Sequence, residues 1–430
     1  MELPDCAGSV AATTPAAARK ASAPAVPVPP IERFAAFALQ ANGEAMQSTM
    51  AFVRQLAALE QDPQIGQYIV PILGDAARVP DISSLFSQAG LDVAVVESGQ
   101  PQVDAKPVAA EQAAAKPDSG DAQPEVTDAL SAWTEAATRH WTHSQPLLPF
   151  HISSSSFGFR DVGDLMGAAT DARARGFLIN MASSHTHLGS ECPQQRDRAS
   201  HLFASTLAHC RAYHPAFAGE LAVIVDHGMR RMLMAQYDEF YYLTVTDDKL
   251  VTPNLPTSAF ADVIRGMHLL RSGSAREKRV QLLGSGATMR EVLQAAARLE
   301  NDHGIAADIW SVTSYIELAR QGIDQERRWR NGNQTSVDSW IEQRLAPTSG
   351  PIVAATDHGR ALPELVRAFM PPGRRYVTLG SDGVGDDDAP VKVDASDIVQ
   401  ASLRAVEEIV CAERSAGQRQ LAAVMSLSSI

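Results

Sequence analysis

The sequence predicts an α/β protein built from two domains, each a parallel sheet covered by helices. Three observations carry that expectation. From Ala129 onward, short apolar runs alternate with helical segments, as they do when strands and crossover helices alternate. From Lys278 a second series of four β–α alternations begins. At roughly 100–200 residues per domain, 430 residues divide into two domains or three.

Taken in order, residues 1–30 are Ala/Pro-rich without a period and predict a disordered tail. They lack the continuous apolar stretch of an export signal. Residues 31–97 follow as a helical lead-in to the first domain. Phe34, Phe37, Met46, Met50, Phe52, Val53 and Leu56 recur there at near-helical spacing, which predicts one or two amphipathic helices over Ile31–Leu59. Residues 64–92 are expected to continue as short helices. Residues 98–124 are rich in alanine, proline and charge without large apolar side chains, the composition of a flexible insertion.

The first α/β domain spans 125–270. Leu147–Ser153, Gly176–Ala182, Glu220–Val225 and Glu239–Val245 read as buried strands, with helices over Asp161–Ala174 and Ala199–Tyr213. The second spans 278–415. It opens on the strand Arg279-Val280-Gln281-Leu282-Leu283, followed by a helix from Thr288 to Asp302 with Thr288 as its N-cap. Strands within Ile305–Ser314, Gly350–His358 and Arg374–Gly383 come next, with helices from Ala361 and from Asp394.

Composition excludes several classes. With 37 basic and 50 acidic residues the net charge is −13, which argues against nucleic-acid or polybasic membrane binding. No apolar run reaches the length of about 18 residues that a membrane-spanning helix needs. Cys6, Cys192, Cys210 and Cys411 are far apart and form no C-x-x-C pair, so neither a disulfide framework nor a cysteine zinc site is expected. That usage suits a reducing cytoplasm.

The local motifs are mostly structural. Gly284-Ser285-Gly286 follows a strand and precedes a helix, but Met289 stands where a dinucleotide loop has its third glycine, so a tight βα turn is expected. Ser285 lacks the G-x-S-x-G frame of a hydrolase nucleophile. Gly380-Ser381-Asp382-Gly383 is not followed by the Gly-Lys-Ser/Thr of a phosphate loop, and Asp386-Asp387-Asp388 reads as a solvated loop. His185 and His187, with Glu191 and His201, resemble a metal cluster. The segment is rich in small and polar residues rather than rigid elements, and no metal ligand is assigned on this chain. His140 and His143 lie one helical turn apart and are expected to be partly exposed.

Three blocks go beyond generic α/β patterning. The first is Pro149-Phe150, Phe157-Gly158-Phe159, Gly163-Asp164-Leu165 and Ala174-Arg175-Gly176-Phe177-Leu178; the second is the segment Lys278–Gly286. The third is Ser311-Val312-Thr313-Ser314 with Glu317-Leu318-Ala319-Arg320. Together they resemble the thiamine-diphosphate-dependent first component of bacterial pyruvate dehydrogenase of the homodimeric type. The resemblance covers residues 31–97 and 126–410 and implies two transketolase-like doubly wound sheets: a pyrimidine-binding domain and a transketolase C-terminal domain. Chains of that family are about twice as long, and the diphosphate-binding domain with its G-D-G motif has no counterpart in this sequence. The resemblance therefore implies the pyrimidine-binding half of a split 2-oxo-acid dehydrogenase, decarboxylase or transketolase-like enzyme. Thiamine diphosphate would be shared with a separate diphosphate-binding subunit, and magnesium would be held by that partner. A catalytically inactive assembly or regulatory subunit is the alternative it leaves. Either form would self-associate, as a homodimer or within a heterotetramer.

The resemblance also assigns residues. In the family a glutamate hydrogen-bonds the pyrimidine ring nitrogen, so that the cofactor's own amino group can remove the thiazolium proton. It stands seven residues before the position matching Trp133, which is Val126 here; Glu125 is adjacent and is the candidate acid. Phe157 matches the aromatic that packs on the pyrimidine, with Phe159 beside it, and Glu191 matches an active-site acid. Three family positions differ: a histidine is Gln195, a glutamate is Ala76, and an arginine near the C-terminal end is Asp386.

Overall fold

The computed structural model describes residues 23–74, 86, 94–95, 124–153, 161–182, 200–333, 335–336, 338–381 and 393–427. The strands are β1 (Ala45–Gln47), β2 (Ile69–Leu73), β3 (Ala94–Val95), β4 (Leu148–Ser153), β5 (Gly176–Ala182), β6 (Cys210–Tyr213), β7 (Phe240–Thr246) and β8 (Lys249–Val251). The second domain adds β9 (Met267–Arg271), β10 (Arg279–Gly284), β11 (Ala306–Val312), β12 (Ile352–Ala355) and β13 (Tyr376–Leu379).

Six strands form a wholly parallel sheet in the order β3-β2-β4-β5-β7-β6. Five form a second sheet, β13-β12-β10-β11-β9, parallel except for β9, which runs antiparallel to β11. β9 precedes Lys278 yet belongs to this second sheet. β1 and β8 pair as a small antiparallel ribbon.

The long apolar runs became strands because a parallel sheet is buried on both faces. Phe177, Ile179 and Met181 of β5 enter one core and Leu178 the opposite one. On the first face Phe150 and Phe177 stack at 4.6 Å between ring centroids, with Phe52 6.2 Å from Phe150 and Tyr241 5.3 Å from Phe177. On the second face Trp133 meets Phe240 edge-on at 5.8 Å, and its indole N–H donates to the Pro149 carbonyl at 3.3 Å.

Several expectations need correction. Glu220–Val225 is not a strand but lies inside the helix Ala218–Met229. The run is apolar on every side because the helix is buried on every side, so no period of 3.6 shows. Its start is fixed by Glu220, whose Oε2 accepts from the backbone N–H groups of Ala216 (2.9 Å) and Phe217 (3.1 Å). Ala199–Tyr213 is not one helix: Ser200–Thr206 is helical, and the chain then enters β6. Within 64–92, Ile69–Leu73 is a central strand, because β-branched and apolar residues pair between β3 and β4. Thr288 closes a short 3-10 turn and makes no side-chain cap hydrogen bond to the helix Met289–Asp302. His140 is buried at 2% exposure, its Nδ1 3.0 Å from the Ala137 carbonyl. Ala23–Pro30, at the end of the expected tail, pack on the first domain: Ala23 N–H donates to the His140 carbonyl (2.9 Å) and Val26 N–H to that of Leu233 (3.0 Å). The helices Glu32–Leu39 and Ser48–Glu60 match the two expected from the periodicity. The insertion 98–124 lies outside the described residues apart from Pro124.

The two domains are clasped by the Ser314–Arg320 motif. Ser314 Oγ donates to the Ala212 carbonyl (2.6 Å) while accepting from Glu317 N–H (3.0 Å) as the N-cap of the helix Tyr315–Arg330. Arg320 donates to the carbonyls of Cys210 (2.6 Å) and Leu207 (2.8 Å), and Arg211 pairs with Glu317 at 2.6 Å. This motif, one of the three that carry the family resemblance, is a joint between the domains.

Candidate functional site

In an open parallel sheet, ligands bind beyond the carboxyl ends of the strands, where the strand order reverses. In the first sheet that reversal falls between β2 and β4. Gly74, just past β2, lets the chain pass close to the buried His151 of β4: a Cβ there would stand 2.8 Å from His151 Nε2. Burial holds the His151 imidazole down to about 4, so it is neutral at pH 7. Along the same edge stand Ser153 on β4, Asn180 on β5, and Thr244 and Thr246 on β7, all buried. Asn180 donates to the Tyr242 hydroxyl at 3.3 Å. Thr246 Oγ1 is buried with no hydrogen-bond partner among the described residues, so this edge has unspent capacity to bind a polar group.

The sequence-assigned residues relate to this edge as follows. Glu125 is the second residue of the helix Pro124–Thr142, which precedes β4. Trp133 of that helix is bonded to Pro149 near the amino end of β4. Phe157 and Phe159 lie in the segment that follows β4, and Glu191 in the segment that follows β5; all three are outside the described residues, as are Ala76, Gln195, His185 and His187.

In the second sheet the reversal falls between β10 and β12. There Ser285 Oγ donates to Thr356 Oγ1 at 3.1 Å, and Ser381 N–H donates to the His358 carbonyl at 2.9 Å. Gly286 has a positive φ of 50°, and a Cβ on it would fall 1.6 Å from His214 Nε2. That glycine is required by the close approach of the first domain, not by a nucleotide.

The carboxyl edges of the two sheets meet at three histidines. His201 sits in the helix Ser200–Thr206, His214 directly follows β6, and His358 lies three residues past β12. All are buried, and their ring centroids are 4.6 Å (His201–His358), 4.6 Å (His214–His358) and 5.6 Å (His201–His214) apart. His201 Nε2 is 2.8 Å from Thr244 Oγ1, and Asp357 Oδ2 is 3.6 Å from His214 Nε2. Burial above all, then the neighbouring His358 and His214, lowers the His201 pKa well below its usual value. For His214 burial prevails over the raising effect of Asp357 and gives about 4. The sequence offered His201 a different set of companions. His214 and His358 were missed because 144 residues separate them. His358 ends a segment expected to hold a strand, whereas His214 follows one expected to be helical, so no shared signal linked them.

Charges at the opposite, amino edge serve architecture. Glu239 accepts from Arg231 (2.6 and 2.8 Å), Arg211 (3.2 Å) and the Tyr241 hydroxyl (3.0 Å).

A six-stranded parallel sheet joined at its carboxyl edge to a smaller sheet with one antiparallel edge strand defines a transketolase-like pair of domains. Solved structures share that fold. A split-gene transketolase in an inactive beta4 tetramer superposes with a TM-score of 0.52 at 14% identity, covering 84% of this chain and 99% of that one. A transketolase from Leishmania mexicana gives a TM-score of 0.52 at 10% identity, over 85% of this chain and 46% of that one. The sequence narrows the class. The pyruvate dehydrogenase E1 component middle domain matches residues 27–253, and the transketolase-like C-terminal domain matches 266–393. This chain belongs to the pyruvate dehydrogenase E1 component family. It is 40% identical over 398 residues to the E1 component of Pseudomonas aeruginosa, covering 91% of this chain and 45% of that protein. With that of Cupriavidus necator it shares 38% over 407 residues, 91% of this chain and 44% of the relative. With that of Escherichia coli strain K12 the figures are 36% over 388 residues, 87% and 43%. The chain thus spans less than half the length of these relatives.

Proposed function

We propose that this chain is the pyrimidine-binding half of a thiamine-diphosphate-dependent 2-oxo-acid enzyme, completed by a diphosphate-binding domain on a separate chain. What supports the reading is family membership, together with the buried polar side chains of Ser153, Asn180 and Thr246 at the carboxyl edge of the first sheet. Thiamine diphosphate, when bound, would supply the chemistry of 2-oxo-acid cleavage, and the protein groups around it would position and tune it.

The chain's own residues have separate tasks. Glu125 would hydrogen-bond the pyrimidine ring nitrogen, Phe157 and Phe159 would offer that ring an apolar face, and Glu191 would serve as the active-site acid. Buried Ser153, Asn180 and Thr246 line the edge with hydroxyl and amide groups. Magnesium and the diphosphate belong to the partner, since magnesium binds through carboxylates and phosphates. Two copies of the chain associate in the complex, a twofold arrangement being the commonest closed assembly.

The test is turnover of pyruvate and other 2-oxo acids by the complex captured with this chain, read as reduction of an artificial electron acceptor. Glu125→Gln should lower the rate by a factor on the order of 100 or more, and an unchanged rate would remove Glu125 from the reading. A second reading, a non-catalytic assembly or regulatory subunit, draws support from Ala76, Gln195 and Asp386 at positions where the family has charged or proton-transferring groups. It expects cofactor-independent association and no turnover in the wild-type complex.

A further inference from the structure

The three histidines at the domain junction do more than fill space. His201 and His214 come from the first domain and His358 from the second. One ring nitrogen of each lies within 4.8 Å of those of the other two. His214 is 2% exposed, and neither of its ring nitrogens has a hydrogen-bond partner among the described residues. A buried polar group without a partner costs free energy, and such groups are rare in folded proteins unless something occupies the space beside them.

The contact of His201 Nε2 with Thr244 Oγ1 at 2.8 Å is the kind of outer hydrogen bond that fixes the ring orientation of a metal ligand. Asp357 Oδ2, 3.6 Å from His214 Nε2, brings a carboxylate to the same place.

We propose that His201, His214 and His358 form a three-histidine site for a divalent transition metal of the zinc class, with Asp357 as the adjoining carboxylate. Tetrahedral zinc with bonds of 2.0–2.1 Å places its nitrogen ligands about 3.3 Å apart, so the rings must close by roughly 1.5 Å at most from their present separation. Rotation about the side-chain torsions supplies that. Imidazole ligands select zinc, copper, nickel or iron over magnesium and calcium, which prefer oxygen. The metal would tie the first domain to the second through His358, at the meeting of the two carboxyl edges. The site is independent of thiamine diphosphate and of any partner chain.

The experiment uses the full chain, stripped with a chelator and titrated with zinc chloride by calorimetry, with metal content measured after gel filtration. We expect about one zinc per chain and a rise in melting temperature. Cobalt(II) in place of zinc should give the visible d–d absorption of a four-coordinate site on the wild-type chain, a readout that needs no variant. His214→Gln and His358→Gln should each weaken zinc binding by roughly tenfold or more with unchanged far-UV circular dichroism. Failure of the wild-type chain to retain zinc or to develop the cobalt spectrum overturns the proposal. So does undiminished zinc affinity in both folded variants, which would move the metal to other histidines. Neither outcome bears on thiamine diphosphate, which is absent from the assay.

Discussion

Replacing Glu239 by glutamine should destabilise the protein by an amount that depends on pH in a calculable way. The side chain is 5% exposed and accepts from Arg231, Arg211 and the Tyr241 hydroxyl. Burial alone would raise its pKa. The hydrogen bonds from Arg231, followed by the charges of Arg211 and Arg231, outweigh burial and hold the carboxyl at about 2 instead of 4.5. Holding the carboxyl at about 2 instead of 4.5 is worth about 3.4 kcal/mol. Because the folded pKa lies below the unfolded one, that stability is complete above about 4.5 and is lost as pH falls toward 2. At pH 7 the variant leaves the half-buried Arg231 without its carboxylate, while Arg211 keeps Glu317. At pH 3 the carboxylate's contribution has fallen to about 1.4 kcal/mol. Urea unfolding of wild type and variant at both pH values checks this. The gap should be near 3 kcal/mol at pH 7 and roughly half that at pH 3. A gap that is the same at both would show that lost packing, not charge, sets the cost.

Other expectations follow from the same coordinates. Phe177→Ala removes a ring stacked 4.6 Å from Phe150 and packed against Tyr241, and should cost about 3–5 kcal/mol in urea unfolding. Gly286→Ala drives a Cβ into His214 at a positive φ and should destabilise by about 1–3 kcal/mol; a neutral result would mean that His214 is not held where it is described. Ser314→Ala removes both the N-cap and the bond to Ala212, so about 1 kcal/mol is expected, with faster proteolysis between the domains. Cys210 is buried and its thiol is pushed up to about 12, so a thiol reagent should modify exposed Cys411 in the native protein and reach Cys210 only on unfolding.

What could be read from the sequence follows from physical cause. Gly176–Ala182 was legible as a strand because both faces of a parallel sheet are buried, which leaves one unbroken apolar run with turn residues before it. Glu220–Val225 misled for the same reason, since a helix buried all round shows an identical run. Length and the capping carboxylate of Glu220 decide between them, and only tertiary structure reveals the second. Of the candidate site, Glu125, Phe157, Phe159 and Glu191 were reached through family motifs rather than through spacing. The His201–His214–His358 cluster was not legible at all. Its members come from three segments that meet only when the carboxyl edges of two sheets are brought together.

The account rests on this chain forming one wall of a thiamine diphosphate site that a second chain completes. The most direct measurement is a thermal-shift titration of thiamine diphosphate with magnesium, run on the chain alone and on the chain reconstituted with the proposed diphosphate-binding partner. The account predicts no shift for the chain alone and, at about 100 times the dissociation constant, a stabilisation of about 2.7 kcal/mol for the complex. Equal melting temperatures with and without cofactor in the complex would contradict it.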